Sequence, residues 1–96
     1  MFIVTLTYVV SLETVDSYLD EHIAFLKQQY AEGVFLASGR KVPRTGGVIL
    51  ARSESEEKLN AVLEQDPFKR NGVAEYSVVE FVPSMTADGL EGLLEQ

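Results

Sequence analysis

The 96-residue sequence contains no cysteine, no tryptophan and a single histidine. The absence of cysteine excludes disulfide bonds, thiolate metal sites and cysteine nucleophiles, and one histidine excludes a histidine-rich metal site within one chain. No stretch approaches the roughly 18 to 20 consecutive apolar residues of a membrane-spanning helix, and the strand-like N-terminus lacks the basic region of a signal peptide. We therefore expect no metal site, no membrane span, a cytoplasmic location, and chemistry carried by oxygen atoms and imidazole nitrogens.

Positive charge is also scarce, because eight lysine and arginine residues stand against 15 aspartate and glutamate residues, for a formal net charge of −7. A surface of this sign repels phosphate backbones and anionic membranes, so we expect no nucleic-acid partner. The acidic residues lie mainly in two helical stretches and in the tail, as is typical of solvated helix faces, and we assign them no site. With 46% apolar residues, the chain is predicted to form one domain over residues 1–96, with its core within about residues 1–83.

Four segments combine β-branched and aromatic residues with alternating polarity, which is typical of strands. They are residues 2–10, 33–41, 48–52 and 74–82. Two further segments place apolar residues at helical spacing. The first covers residues 12–32, between an N-terminal cap at Ser11 and a left-handed stop at Gly33. The second covers residues 53–65 and begins with the capping pair Ser53 and Glu56.

This order of elements predicts a ferredoxin-like α+β fold, βαββαβ, with one antiparallel four-stranded sheet and both helices on one face. Residues 2–10 and 74–82 are apolar on both faces, which is more than a sheet covered on one side requires. We therefore expect a homodimer that buries the open face of the sheet. In the tail, residues 84–96, three leucines at helical spacing (Leu90, Leu93 and Leu94) predict a short C-terminal helix.

The only histidine lies on the apolar side of the first predicted helix. This apolar stripe consists of Val15, Leu19, His22, Ile23, Leu26 and Tyr30. One interpretation of His22 is a core histidine whose two ring nitrogens are satisfied by backbone or carboxylate partners. The other is an imidazole that transfers protons, and the choice between them depends on a second group beside the ring.

Asp66 is the candidate for that second group. It precedes Pro67 where the second helix must end, because proline disfavours a helical conformation at the residue before it. An aspartate in such a position commonly accepts hydrogen bonds from nearby backbone amides, which is a purely structural role. The functional interpretation is that Asp66 meets His22, fixes its tautomer and makes the other ring nitrogen more basic. The sequence leaves both interpretations open, because the two residues are far apart in the chain.

Five motifs in chain order resemble the YciI-like, or YCII-related, family, and the resemblance covers nearly the whole chain. They are residues 20–26 around His22, residues 33–39, residues 43–50, the Asp66-Pro67-Phe68 turn and the Glu80-Phe81 pair. The resemblance implies a dimeric α+β barrel protein, of the superfamily that includes muconolactone isomerase. It also implies a cleft in which His22 and Asp66 form an acid–base pair, acting on small ring compounds without a metal or organic cofactor. Dehydrohalogenation of a chlorinated hydroquinone is one activity assigned in such relatives.

Five residues near the expected cleft are candidates for ligand binding. Ser38 and Gly39 end a strand where a hydroxyl and an exposed amide could reach a ligand, or they form an ordinary strand-end turn. Arg44 has two interpretations: it clamps a carboxylate or phenolate group of a ligand, or it is a hairpin-loop arginine without a binding role. Pro67 and Phe68 belong to the same turn as the aspartate and are assigned to the same site.

Arg40 departs from the family pattern, in which many relatives carry proline after the Ser-Gly pair. A cation near the mouth of the cleft favours an anionic or phenolate ligand, unless the side chain only lies along the surface. The leading hypothesis is a cofactor-independent enzyme in which His22, oriented by Asp66, moves a proton on a small cyclic or phenolic molecule. The alternative is a module that binds a small ligand without turnover or that holds the dimer together.

Overall fold

The computed structural model describes residues 1–94. Four strands form one antiparallel sheet in the order β2-β3-β1-β4. They are β1 (Phe2–Tyr8), β2 (Phe35–Arg40), β3 (Gly46–Ala51) and β4 (Ala74–Glu80). The predicted ferredoxin-like α+β arrangement is confirmed. Strands β1, β2 and β4 are two or three residues shorter than predicted, and β3 starts two residues earlier and ends one residue earlier.

The connection after β1 contains two helices where one was predicted, and in the connection after β3 the predicted helix is followed by a short one, where the sequence predicted a short irregular or helical segment up to Gly72. The helices are α1 (Leu12–Ser17) and α2 (Leu19–Ala31) after β1, and α3 (Glu56–Leu63) and α4 (Pro67–Arg70) after β3. The single helix predicted over residues 12–32 is therefore wrong, because it is interrupted at Tyr18, whose backbone dihedral angles of −107° and 2° leave the helical range. Beyond β4, a short 3-10 helix covers Glu91–Leu94, so the predicted C-terminal helix exists in a tighter form.

The helix ends follow from short-range hydrogen bonds. Ser11 Oγ accepts from the backbone N–H of Thr14, which confirms the predicted cap of α1. Gly33 adopts a φ of 77° after α2, which confirms the left-handed stop. The predicted cap at Ser53 is wrong, because the cap is Ser55, whose Oγ accepts from the Lys58 N–H, and α3 begins at Glu56.

One face of the sheet carries the core. Along β1, Phe2, Val4 and Leu6 are buried, whereas the alternate residues Ile3 and Thr7 are exposed and Thr5 is half-buried, as the period of a strand requires. The buried residues pack against apolar side chains from the helices in a single cluster. Those helical residues are Val15, Phe25, Leu59, Leu63 and Phe68.

The buried side of α2 differs in phase from the predicted stripe. His22 is buried as predicted, but it is followed in the core by Phe25 and Gln29. Ile23 and Tyr30, predicted to be buried, are 39% and 38% exposed. Val15, His22 and Gln29 are buried at intervals of seven residues, and Leu19 and Leu26 pack against the core as partly buried residues. The core-facing side of α2 therefore includes Phe25 and Gln29 in place of Ile23 and Tyr30.

A row of apolar side chains crosses the opposite face of the sheet, which α1 to α4 leave uncovered and the C-terminal segment covers in part, since Leu50 lines a second cavity with residues 81–86 and Leu93. Four residues are paired in register across all strands in this row: Ala37 with Leu50, Leu50 with Ile3, and Ile3 with Val79. Ile3 is 37% and Val79 57% exposed. No helix within residues 1–94 is long and apolar enough to cross a bilayer.

Candidate active site

A cavity of about 420 Å³ opens between α2 and the part of the sheet where β1, β2 and β3 meet. Leucine, isoleucine and valine side chains form its apolar wall, and three charged side chains, one imidazole and two hydroxyl side chains supply its polar groups. The apolar residues are Leu6, Leu19, Ile23, Leu26, Val48 and Ile49, and the polar or charged ones are Tyr8, Asp16, His22, Ser38, Arg40 and Arg44. The volume is suited to a ligand of one ring, at the small end of the usual range of ligand sites.

His22 brings its imidazole to this cavity from the first turns of α2. The side chain is 11% exposed, and its Nδ1 lies 2.7 Å from Oδ1 of Asp66, which is fully buried. With the Asp66 carboxylate as the acceptor of this hydrogen bond, as it is for Phe68 and Tyr76, the hydrogen belongs to Nδ1. Nε2 has no hydrogen-bond partner within residues 1–94 and is not sealed from solvent. The ring therefore has one nitrogen held by the protein and one nitrogen available to a ligand.

Asp66 also has the structural role that the sequence left open. It is the N-cap of α4, and the same Oδ1 accepts from the backbone N–H of Phe68 at 2.9 Å. The proline after it occupies the first helical turn, where its missing N–H costs nothing. The two interpretations of Asp66 are thus compatible, because one carboxylate oxygen caps a helix and binds the imidazole at once.

Phe68 fixes the plane of the imidazole. Its ring lies parallel to that of His22, with an interplanar angle of 3° and 3.9 Å between ring centroids. On its other side Phe68 meets the edge of Tyr8 at 5.9 Å. Phe68 and Pro67 were predicted to bind ligand, but neither lines the cavity, and Phe68 lies behind the imidazole in the core.

Tyr76, which the sequence analysis did not single out, completes the surroundings of the carboxylate. Its hydroxyl donates to Oδ2 of Asp66 at 2.5 Å, so both oxygens of the carboxylate are occupied. Burial, together with the negative charge of Asp66, raises the pKa of Tyr76. Tyr76 faces the helices from β4, opposite Leu6 of β1. No sequence signal showed that Asp66 lies beside it, because residues 74–82 are apolar on both faces of the strand.

The three other predicted ligand residues, Ser38, Gly39 and Arg44, all line the cavity. The hydroxyl of Ser38 shares a hydrogen bond of 2.5 Å with the Tyr30 hydroxyl. The Arg44 guanidinium donates to Asp16 Oδ1 at 2.5 Å, and this hydrogen bond raises the pKa of Arg44. Arg44 is therefore paired within the protein.

Glycines form part of the cavity floor. A Cβ atom on Gly46 would lie 1.8 Å from the carbonyl oxygen of Leu6, so no other residue fits there. This close approach explains why β3 begins at Gly46, two residues before the predicted strand. Within residues 1–94, no three histidine, aspartate or glutamate side chains gather as a metal site.

Comparisons with known proteins agree with this architecture. A family model described as the YCII-related domain matches residues 1–82. Among solved structures, the chain is similar to a 5-chloro-2-hydroxyhydroquinone dehydrochlorinase from Burkholderia phenoliruptrix, in complex with 2,5-dihydroxybenzoquinone. The TM-score is 0.70 and the sequence identity is 19%, and the match covers 84% of this chain and 93% of that chain. At this identity the likeness shows the fold alone. No curated protein matches the chain significantly.

Proposed function

The chain belongs to the YCII-related domain family, and from the geometry of its site we propose a cofactor-independent enzyme that transfers protons on a small cyclic or phenolic molecule. The observation that carries the proposal is the 2.7 Å contact between His22 Nδ1 and Asp66 Oδ1 at the wall of an apolar cavity. An imidazole held in this way by a buried carboxylate is a common arrangement for a general base.

The proposed chemistry follows from which nitrogen is free. Nε2 accepts a proton from a hydroxyl group or a ring carbon of the ligand, and the electron pair of the broken O–H or C–H bond stays on the ligand. The carboxylate of Asp66 then stabilises the positive charge on the imidazolium through Nδ1–H. The imidazolium returns the proton to another position of the ligand or to water. Phe68 and Tyr76 act as positioning residues, because they hold the ring plane and the carboxylate without reaching the cavity.

The substrate class is proposed from the cavity and from the structural neighbour together. The neighbour's name assigns it the dehydrochlorination of a hydroxylated hydroquinone, and its structure holds a dihydroxybenzoquinone. The cavity of the present chain has an apolar wall for a ring and polar groups at its edge. Dehydrochlorination needs removal of a proton and departure of chloride, and His22 Nε2 supplies the base for the first of these steps.

We propose in addition that the protein acts as a homodimer in the cytoplasm. The apolar row of Ala37, Leu50, Ile3 and Val79 lies on the sheet face that the helices leave uncovered. A continuous apolar row across four strands is the kind of surface that a second copy buries in an isologous interface.

The test is an NMR and chloride-release assay with the parent protein and His22→Gln. Each is incubated with 5-chloro-2-hydroxyhydroquinone and, separately, in deuterated water with a panel of small phenols and lactones. We expect chloride release or deuterium incorporation in the parent and a loss of about 100-fold or more in His22→Gln, the usual contribution of a general base. Lys27→Gln, an exposed change on the same helix, is the control and should retain activity.

Three results would contradict the proposal. Tight binding of a panel member that stays chemically unchanged after long incubation would favour the ligand-binding module instead. Equal rates in His22→Gln and the parent would remove the imidazole from the chemistry, and loss of the fold in His22→Gln would assign the histidine to the core.

A further inference from the structure

The cavity carries one positive charge that no residue of the described chain compensates. Of its three charged lining residues, Arg44 and Asp16 are paired with each other at 2.5 Å. The third, Arg40, has no hydrogen-bond or ion-pair partner for its side chain within residues 1–94. The chain as a whole has a formal net charge of −7. A positive charge facing a cavity in so acidic a protein creates a local site for an anion.

The position of Arg40 in the sheet leaves room beside it. Arg40 pairs in register with Gly47 of β3, and Gly47 pairs in turn with Leu6 of β1. Leu6 is a core residue on the helix-covered face, so Arg40 and Gly47 lie on that face as well. Because Gly47 has no side chain, the space across from Arg40 stays open towards the floor of the cavity. A ligand seated over the glycine would lie beside Arg40, which lines the same cavity.

We propose that Arg40 binds a carboxylate group of the ligand, so that the substrate is a ring compound bearing a carboxylate as well as a hydroxyl group. The proposal rests on the proposed function, because it assigns a substituent to the molecule on which His22 acts. A planar guanidinium with several N–H donors matches the two oxygens of a carboxylate, whereas a phenolate offers a single oxygen. Arg44 does not compete for the ligand's carboxylate, because its guanidinium already donates a hydrogen bond to Asp16. Arg40 is a specificity-determining residue in this account.

The experiment compares two probes that differ only in the carboxylate. Hydroquinone and 2,5-dihydroxybenzoate are titrated into the parent, Arg40→Gln, Arg40→Lys and Arg70→Gln, and dissociation constants are taken from amide shifts of residues lining the cavity. Arg70 is exposed and outside the cavity lining, so Arg70→Gln removes the same charge elsewhere and is the matched control. Arg40 is exposed and has no side-chain partner within the described residues, so its variants should fold as the parent does, which a urea denaturation curve checks.

We expect the parent and Arg70→Gln to bind 2,5-dihydroxybenzoate about tenfold more tightly than hydroquinone, the size of effect that one charge-assisted pair provides. Arg40→Gln should abolish this preference while its hydroquinone affinity stays within about twofold of the parent, and Arg40→Lys should retain part of it. The preference should also weaken as salt is added.

The proposal is overturned if the parent does not prefer 2,5-dihydroxybenzoate, including the case in which neither probe binds, or if Arg40→Gln keeps the preference. These outcomes are separate from a failure of the proposed function. Turnover that depends on His22 without any carboxylate preference would refute the role of Arg40 alone. A carboxylate preference that depends on Arg40, in a protein with no turnover, would refute the proton-transfer enzyme and leave an anion-binding site.

Discussion

Replacing Asp66 with alanine should destabilise the fold by about 3 to 5 kcal/mol, because one fully buried side chain accepts three hydrogen bonds. The donors are the imidazole of His22 at 2.7 Å, the backbone N–H of Phe68 at 2.9 Å and the hydroxyl of Tyr76 at 2.5 Å. They come from α2, α4 and β4, so the substitution disconnects three elements at one point.

The magnitude is a sum of separate effects. Loss of the N-cap hydrogen bond to Phe68 contributes about 1 kcal/mol. Loss of each of the two hydrogen bonds that His22 and Tyr76 donate to the charged carboxylate contributes about 1.5 to 3 kcal/mol. The total of about 4 to 7 kcal/mol falls to about 3 to 5 kcal/mol because both donors bind water in the space that is vacated. Asp66→Asn retains one carbonyl oxygen for His22 and Phe68 and presents an amide group towards the Tyr76 hydroxyl. We therefore expect it to be only about 1 to 2 kcal/mol less stable than the parent.

Urea denaturation followed by circular dichroism measures the free energy of unfolding of the parent and both variants. Asp88→Ala, at an exposed position of the tail, is the control and should stay within about 0.5 kcal/mol of the parent. A loss below about 1 kcal/mol in Asp66→Ala would refute the reasoning, because it would mean that the three donors do not depend on this carboxylate. Equal losses in Asp66→Ala and Asp66→Asn would show that charge, rather than the retained hydrogen bonds, determines the result.

Two further predictions concern other parts of the molecule. Burial and the Asp66 carboxylate hold the pKa of Tyr76 above its ordinary value of 10.0, so the folded protein keeps a proton that the unfolded chain releases. The stabilisation that protonated Tyr76 contributes is fully present below about pH 10 and decreases above it. Above that pH, the free energy of unfolding of the parent should fall more steeply than that of Tyr76→Phe, by up to about 1.4 kcal/mol for each pH unit. An equal pH dependence of the free energy of unfolding in the parent and in Tyr76→Phe would contradict the buried contact between Tyr76 and Asp66. On the open sheet face, Ile3→Glu should convert a dimer into a monomer in light scattering with little loss of monomer stability, since Ile3 is already 37% exposed. Thr7→Glu, on the same face but outside the apolar row, is the control, and a monomeric parent would contradict the predicted interface.

The fold was predictable because strand alternation and helix caps are local signals. The alternation in β1 gave the correct core face through Phe2 and Val4, and Ser11 and Gly33 marked the two ends of the first helical connection. The interruption at Tyr18 was not predictable, because neither glycine nor proline marks it. Phe25 and Gln29, rather than Ile23 and Tyr30, face the core from α2, and only packing against the sheet decides this.

The site was predictable to the extent that chemistry restricts residue type. One histidine and one Asp-Pro turn left few candidates, and the structure places His22 and Asp66 in contact. Their catalytic role stays a prediction. The residues that complete the arrangement carry no such signal: Tyr76 is an ordinary strand residue in the sequence, and Phe68 resembles any core aromatic. Their relation to the pair depends on the register of β4 and on the path of α4, which are tertiary properties.

The most direct test of the account is the tautomer of His22, read from the two ring ¹⁵N chemical shifts at a pH at which the imidazole is neutral. A single histidine gives a single pair of ring signals. The account predicts that the hydrogen resides on Nδ1, bound to Asp66, and that Nε2 has the shift of an unprotonated nitrogen with a free lone pair. A hydrogen on Nε2 would contradict it, because that nitrogen could then not accept a proton from a ligand in the cavity.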